Sequence, residues 1–274
     1  MVNALSVDVE DWYQVHSFRD SITSADWDSC PSRIVNNTER VLDLFDEYRV
    51  RGTFFVLGYV AHRYPELVME IARRGHEVST HGYMHVAIPE QKREEFVEDL
   101  RKSVTLLQKI TKKRVLGYRA PSWSLTKGNW EMVVNALINN ELMYDSSIYP
   151  IRLRYGIHDA CRFASEVRDG FYEIPLSTMR IFNNNVPIGG GFFLRATPYG
   201  FTRWCIRRLN RAGARAVVYF HTWEIDRQTP RIHASISRKF VHYYKISSME
   251  RKICALLRDF SFDSIENVFL HGRA

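Results

Sequence analysis

Three carboxylates stand within four positions near the start of the chain. Asp8, Glu10 and Asp11 follow a run of apolar residues that has the character of a strand. Such a cluster is repulsive unless a cation or an arginine lies beside it. Because side chains alternate along a strand, Asp8 and Glu10 would point the same way, whereas Asp11 would begin the following loop. The pattern favours a positively charged partner at this point.

Two histidines follow another strand-like run. His81 and His85 are four residues apart and could both present a ring nitrogen to one metal ion if the segment turns helically. Two neutral imidazoles and one carboxylate make a three-ligand site for zinc or a similar divalent ion, with positions left open for water and substrate. This composition is typical of a catalytic metal site.

Arg119 and His221 end two further strand-like runs. An arginine can hold a carboxylate through two parallel hydrogen bonds and so orient a catalytic base without neutralising it. A histidine at the end of a strand lies where a general acid would be placed. Both residues are therefore candidates for catalysis.

The apolar patterns predict alternating strands and helices. Strand-like runs span residues 4–9, 53–57, 77–80, 115–119, 171–175 and 216–220. Helical patterns span residues 34–48, 65–74, 90–110, 129–140 and 198–212. This order predicts an α/β fold with a parallel barrel or an open parallel sheet, in which chemistry collects at the carboxyl ends of the strands. No stretch rich in proline, glycine and serine interrupts this order as a linker would, so we expect one domain over residues 1–274. Within it, residues 231–274 are expected to form a C-terminal extension with a long helix and a short strand.

Composition excludes several classes of protein. The chain has 274 residues, 45% of them hydrophobic, and a net charge of +7. No run approaches the roughly 18 apolar residues that would span a membrane. The first residues lack the basic and apolar pattern of a secretory signal, which predicts a cytoplasmic protein with reduced cysteines. Basic residues alternate with acids along residues 91–114, and no nucleic-acid-binding motif is present, so we expect no nucleic-acid partner.

The order of these motifs resembles that of the NodB-homology polysaccharide deacetylases, carbohydrate esterase family 4, over nearly the whole chain. Residues 8–11 are similar to the first, acidic motif of that family, and residues 81–85 to its metal-binding histidine motif. Its three later motifs resemble residues 119–121, 144–147 and 219–221. The resemblance implies a distorted (β/α) barrel of about seven parallel strands.

Other segments resemble one subgroup of that family, which is associated with bacterial exopolysaccharide loci. The similar segments are residues 8–12, 173–177, 189–195 and 221–226. The first motif departs from the usual family pattern of two adjacent aspartates, a base followed by a metal ligand, because Val9 follows Asp8. We predict that Asp8 is the base, which leaves either Glu10 or Asp11 as the metal carboxylate. Alternatively, Glu10 and Asp11 are themselves the adjacent pair.

The resemblance implies metal-dependent removal of acetyl groups from N-acetylated amino sugars in a bacterial polysaccharide or its precursor. The cofactor would be a divalent metal, with zinc as the first choice, and it would activate water for attack on the amide. Asp8 would act as base, Arg119 would fix Asp8, and His221 would protonate the departing amine. Aromatic faces suit sugar rings, and the predicted substrate contacts are Trp123, Tyr149 and Trp223.

Two other functions fit the same chain. One is an amidohydrolase that opens a small cyclic amide, similar to allantoinase. The other is a carbohydrate-binding barrel without catalysis. The presence of His81, His85 and Arg119 favours a metal-dependent deacetylase. The absence of a recognisable signal disfavours an external polymer such as peptidoglycan and favours a lipid-linked or nucleotide-linked saccharide inside the cell.

Overall fold

A curled sheet of nine strands forms the centre of the molecule in the computed structural model, which describes residues 1–232 and 234–271. The strands of the described residues are β1 (Val2–Val9), β2 (Thr53–Val56), β3 (Glu77–Thr80), β4 (Gly117–Tyr118), β5 (Tyr144–Asp145), β6 (Ser165–Arg168), β7 (Phe171–Glu173), β8 (Thr178–Ile181), β9 (Asn184–Pro187), β10 (Val217–His221) and β11 (Ser261–Asp263).

The sheet order is β10–β1–β2–β3–β4–β5–β7–β6, and β11 also pairs with β1. All of these pairings are parallel except that of β6 with β7. The segment after β7 returns to β10, where the Ser177 amide donates to the Val217 carbonyl at 3.2 Å and the Val217 amide donates to Ser177 Oγ at 2.8 Å. These bonds draw the two ends of the sheet together, so the predicted distorted (β/α) barrel is confirmed. Strands β8 and β9 form a separate antiparallel hairpin.

Helices cover the outside of the sheet. They are α1 (Ile34–Glu47), α2 (Gly58–Arg63), α3 (Pro65–Arg73), α4 (Arg93–Thr111), α5 (Trp130–Asn139), α6 (Gly191–Ala196), α7 (Tyr199–Arg211), α8 (Ile236–Tyr243) and α9 (Ile246–Asp259). The bounds of α3 follow from its sequence. Pro65 opens it, because proline needs no amide partner in a first turn, and Gly75 with φ +83° follows its end.

The first strand shows how side-chain alternation positions the site. Leu5, Val7 and Val9 belong to the main hydrophobic core. The alternate residues Ser6 and Asp8 lie on the other face, where both accept hydrogen bonds from Arg119. One strand therefore supplies both core packing and catalytic candidates.

The predicted C-terminal arrangement is partly wrong. The expected single long helix is two helices, α8 and α9, which are separated at Lys245 with a left-handed φ of 54°. The expected strand is β11, which pairs with β1 over Val2–Ala4. Residues 233 and 272–274 of the predicted extension lie outside the described residues. Among the described helices, none has the length and apolar character needed to cross a membrane.

Two glycines give a matched test of the packing. A Cβ at Gly117 would lie 2.1 Å from the ring of buried Tyr144, whereas a Cβ at exposed Gly200 in α7 would meet nothing within 4 Å. We expect Gly117→Ala to lower the free energy of unfolding by about 1–3 kcal/mol through overpacking. Gly200→Ala should be neutral or raise it by up to about 1 kcal/mol, because alanine is the better helix former. Urea denaturation measures both, and equal stability of the two variants would contradict the described packing at Gly117.

Candidate active site

The carboxyl ends of β1, β3, β4 and β10 meet at one rim of the barrel. They carry Asp8, His81, Arg119 and His221, which the sequence predicted as site residues, and Glu10 directly follows β1. A cleft of about 190 Å³ opens between them. The structure therefore brings together residues that are up to 213 positions apart, as expected for the catalytic face of a parallel barrel.

Arg119 is fully buried and holds Asp8. Its Nη1 donates to Asp8 Oδ1 at 2.7 Å and to Ser6 Oγ at 2.9 Å. Its Nε and Nη2 donate to the backbone carbonyl and the hydroxyl of Ser146. The predicted pair of parallel bonds to the aspartate is wrong, because the remaining guanidinium nitrogens serve Ser146. Asp8 is nevertheless fixed through Oδ1, while its Oδ2 faces His221 Nε2 at 3.9 Å.

Glu10, His81 and His85 form a compact group of metal-type ligands. One ligand atom from each residue lies within 4.8 Å of the others. His81 Nδ1 lies 2.8 Å from the Arg119 carbonyl oxygen, so this nitrogen carries the hydrogen and Nε2 keeps its lone pair. Burial lowers the pKa of His81 to about 4, so its ring is neutral at pH 7. A neutral imidazole with a free Nε2 is the form that binds a metal.

The carboxylate of Glu10 fits the same role. Its Oε2 is buried without a hydrogen-bond partner, although His85 Nε2 lies 2.9 Å away. Burial alone would raise the pKa of Glu10, but the neighbouring imidazoles of His85 and His221 outweigh burial and hold it well below its usual range. An ionised oxygen beside two imidazole nitrogens is a donor set that zinc and similar divalent ions accept. The residues therefore fit a metal.

Asp11, the other predicted metal carboxylate, is turned away from this group. Its Oδ2 accepts hydrogen bonds from Ser32 Oγ at 2.6 Å and from the Arg33 amide at 3.0 Å. Its Oδ1 accepts from the Trp12 amide at 3.0 Å. Asp11 thus stabilises the loop before α1, a position that disfavours both alternatives in which Asp11 is a metal ligand. Of the alternatives left open by the sequence, the geometry favours Glu10.

His221 is held with one nitrogen towards the cleft. Its Nδ1 lies 2.9 Å from Glu224 Oε2, and its Nε2 lies 3.4 Å from Glu10 Oε1. Burial lowers the pKa of His221, but the charges of Glu224 and Glu10 and the bond to Glu224 outweigh burial and raise it to about 9. At neutral pH the ring is therefore protonated, which gives the cleft a proton donor close to Asp8.

The sequence assigned no role to Glu224 or Arg195, although both lie in segments that it singled out. Arg195 is 1% exposed, and its Nε donates to Glu224 Oε1 at 2.6 Å. Its other nitrogens donate to three backbone carbonyls at the end of α8, those of Val241, His242 and Tyr244. The only sequence signal was the position of Glu224, three residues after His221, because the Arg195 contacts join distant segments. This network connects α8 to the back of His221.

The three predicted substrate aromatics have different positions. Trp123 is half-buried and lines the cleft. Trp223 also lines it, but its ring is stacked between His221 and His242, and its Nε1 donates to Glu10 Oε1 at 3.3 Å. Tyr149 is 1% exposed and packs behind Trp123, outside the cleft lining. Substrate contact stays a prediction for Trp123, whereas the structure gives Trp223 a positioning role and places Tyr149 away from the cleft.

Comparison with protein families divides the chain into two matched regions. Residues 19–137 match the polysaccharide deacetylase family. Residues 146–270 match a domain of unknown function, DUF3473. The first region contains His81, His85 and Arg119, and the second contains Arg195, His221 and Glu224.

Characterised relatives are similar over part of their length. A peptidoglycan deacetylase from Helicobacter pylori is 33% identical over 112 residues, which are 40% of this chain and 36% of that protein. A peptidoglycan-N-acetylmuramic acid deacetylase from Bacillus subtilis is 25% identical over 156 residues, which are 48% of this chain and 58% of that protein. The chain thus spans about a third to three fifths of these relatives.

A solved structure shares the fold along nearly the whole chain. It belongs to a protein from Mycobacterium smegmatis that is provisionally described as a polysaccharide deacetylase. The two superpose with a TM-score of 0.61 at 22% identity, over 98% of this chain and 89% of the other. This likeness shows a common fold for the two matched regions together.

The two acidic alternatives can be separated by metal binding alone. We expect Glu10→Gln to weaken zinc binding by at least about 10- to 100-fold, since it removes the charged ligand of the group. Asp11→Asn should leave zinc affinity within about twofold and lower only the stability, because Asp11 bonds to the loop before α1. Isothermal titration of the metal-stripped protein measures both affinities. The reverse ranking would make Asp11 the ligand.

Proposed function

Because the family match supports placing the chain among the polysaccharide deacetylases, we propose that it hydrolyses the N-acetyl group of acetylated amino sugars. The observation that carries this proposal is the meeting of three functions in one cleft. Asp8 offers a base, His221 offers an acid, and the group of Glu10, His81 and His85 offers ligands for a metal.

The metal in this proposal is zinc, since two histidines and one carboxylate leave a tetrahedral site with a position free for chemistry. Glu10, His81 and His85 would hold it. A bound zinc ion supplies Lewis acidity, which lowers the pKa of water and polarises the acetamide carbonyl. The His81 contact with the Arg119 carbonyl keeps the ring in the required tautomer and orientation.

Asp8 is the proposed general base. Its Oδ1 is committed to Arg119, which leaves Oδ2 to accept a proton from the attacking water. The Arg119 guanidinium orients the carboxylate by donating a hydrogen bond to it, without accepting its proton. Burial strengthens this contact, because bulk water does not reach either side chain and so does not compete for the hydrogen bond.

His221 is the proposed general acid. Water adds to the acetamide carbon, the C–N bond breaks, and His221 Nε2 donates its proton to the departing amine, which yields acetate and a free amino sugar. Glu224 fixes the opposite nitrogen and stabilises the protonated ring, and Arg195 fixes Glu224 in turn. The arrangement resembles the carboxylate–histidine pairs that orient the histidine of other hydrolases.

The proposed substrate is a bacterial polysaccharide or its lipid-linked or nucleotide-linked precursor, and the proposed location is the cytoplasm. The half-buried Trp123 gives one wall of the cleft an aromatic face that suits a sugar ring. The similarity of residues 189–195 and 221–226 to the exopolysaccharide subgroup supports this choice, because these segments contain Arg195, His221 and Glu224. The peptidoglycan deacetylases among the relatives make peptidoglycan fragments a necessary comparison substrate.

Acetate release tests the function directly. We expect the metal-stripped protein to be inactive and zinc to restore acetate release from N-acetylglucosamine or N-acetylgalactosamine oligomers. His81→Ala should lose zinc binding and activity together, whereas Asp8→Asn should keep zinc and lose about 10²- to 10⁴-fold in kcat, the usual contribution of a general base. Tight zinc binding without acetate from these oligomers or from peptidoglycan fragments would favour the binding-only barrel.

The role of Glu224 has its own test. We expect Glu224→Gln to reduce kcat on the order of 10²-fold while zinc affinity and KM stay close to those of the unchanged protein, because glutamine cannot stabilise a protonated His221. Glu98→Gln, an exposed acid in α4 that pairs with Arg101, is the matched control and should be neutral. A Glu224→Gln variant with full kcat would remove His221–Glu224 pairing from the mechanism.

A further inference from the structure

Helix α8 presents apolar side chains to solvent. Ile236 is 87% exposed, Phe240 is 52% exposed and Val241 is 45% exposed. Ile236 and Phe240 are four positions apart and lie on one side of the helix, where they line a groove, whereas Val241 faces the cleft. Single exposed apolar residues are ordinary on a protein surface, but a contiguous group marks an interaction site. The outer face of α8 therefore needs a partner.

Cations surround this apolar face. A groove along it is lined by Ile236, Phe240 and Tyr244 together with Arg231, Lys239 and Lys245. The sequence between Asp226 and Glu250 contains five lysines and arginines and no carboxylate. Arg238 is paired with Asp20 from the N-terminal loop at 2.6 Å, whereas the three cations that line the groove form no salt bridge with any described residue. The partner should thus be apolar in part and negatively charged.

The inner face of α8 is fixed to the cleft. His242 stacks on Trp223 with ring centroids 4.0 Å apart, and Arg195 binds the last carbonyls of the helix. Val241 and His242 also line the cleft. The outer face is consequently held in a constant position beside the candidate active site.

We propose that α8, with Arg231, Lys239 and Lys245, docks the protein on a lipid surface that carries anionic headgroups. Amphipathic helices bind such surfaces by burying apolar side chains at the acyl boundary while lysines and arginines contact the headgroups. A second copy of the chain fits less well, because a twofold contact would place the same cations against each other. Docking through α8 brings the cleft beside the lipid headgroups.

Vesicle cosedimentation of the full chain tests the proposal without reference to catalysis. We expect binding to vesicles of equal amounts of phosphatidylcholine and phosphatidylglycerol, weaker binding to phosphatidylcholine alone, and loss of binding as salt rises. The double variant Ile236→Ser with Phe240→Ser should bind at least about tenfold more weakly. Arg231→Gln with Lys239→Gln should weaken binding by about fivefold for each cation removed.

Matched controls separate α8 from the rest of the basic surface. Phe182→Ser changes a side chain that is 93% exposed in the turn between β8 and β9, and should leave binding unchanged. Arg207→Gln with Arg211→Gln removes the same charge from the exposed face of α7 and should have a much smaller effect than the α8 pair.

Three results would overturn the proposal. The first is no binding to the phosphatidylglycerol vesicles at low salt. The second is an equal loss from the α7 and α8 charge variants, which would reflect net charge alone. The third is a dimer in analytical ultracentrifugation that the Phe240→Ser change dissociates, because a second copy would then cover this face. None of these measurements uses acetate release. Failure of the membrane-docking proposal is therefore distinguishable from failure of the deacetylase proposal.

Discussion

The buried pair of Arg119 and Asp8 is the interaction on which the rest of the site depends. A guanidinium that is fully removed from water is tolerated only when its charge and its donors are satisfied, and losing one partner of such a pair typically costs about 3–5 kcal/mol. Arg119 meets this requirement with contacts to Asp8, Ser6 and Ser146. Its own backbone carbonyl bonds His81. One residue therefore positions the proposed base and a proposed metal ligand at the same time.

A second buried arginine has the corresponding role on the other side of the cleft. Arg195 contacts Glu224, and Glu224 contacts His221, so that the proposed acid is supported from behind as the proposed base is. The two pairs differ in what they connect. Arg119 joins the end of β4 to β1, which β2 and β3 separate in the sheet, whereas Arg195 joins the barrel to a helix near the C-terminus. The contacts that support the proposed acid, His221, therefore extend through Glu224 and Arg195 to α8.

Sequence patterns predicted the elements better than the contacts between them. Residues 77–80 were predicted as a strand and form β3 with the same bounds, because strand character is a local property of the sequence. The choice between Glu10 and Asp11 was not predictable, since it depends on Ser32 and Arg33 in a loop that folds back on Asp11. Tyr149 looked available to substrate because its burial depends on Trp123 and Tyr219, which precede and follow it by tens of residues. Long-range packing decided the last two of these cases.

The two family-matched regions share a single candidate active site. The first region carries the histidines of the metal-type group, the second carries the proposed acid, and Asp8 and Glu10 precede both. Strand β1 lies between β2 from the first region and β10 from the second, so it belongs to neither alone. A cut between residues 137 and 146 would leave two fragments with incomplete chemistry and an exposed strand edge on each. An engineered exchange of either region between relatives must therefore preserve the fit of one half of the barrel to the other.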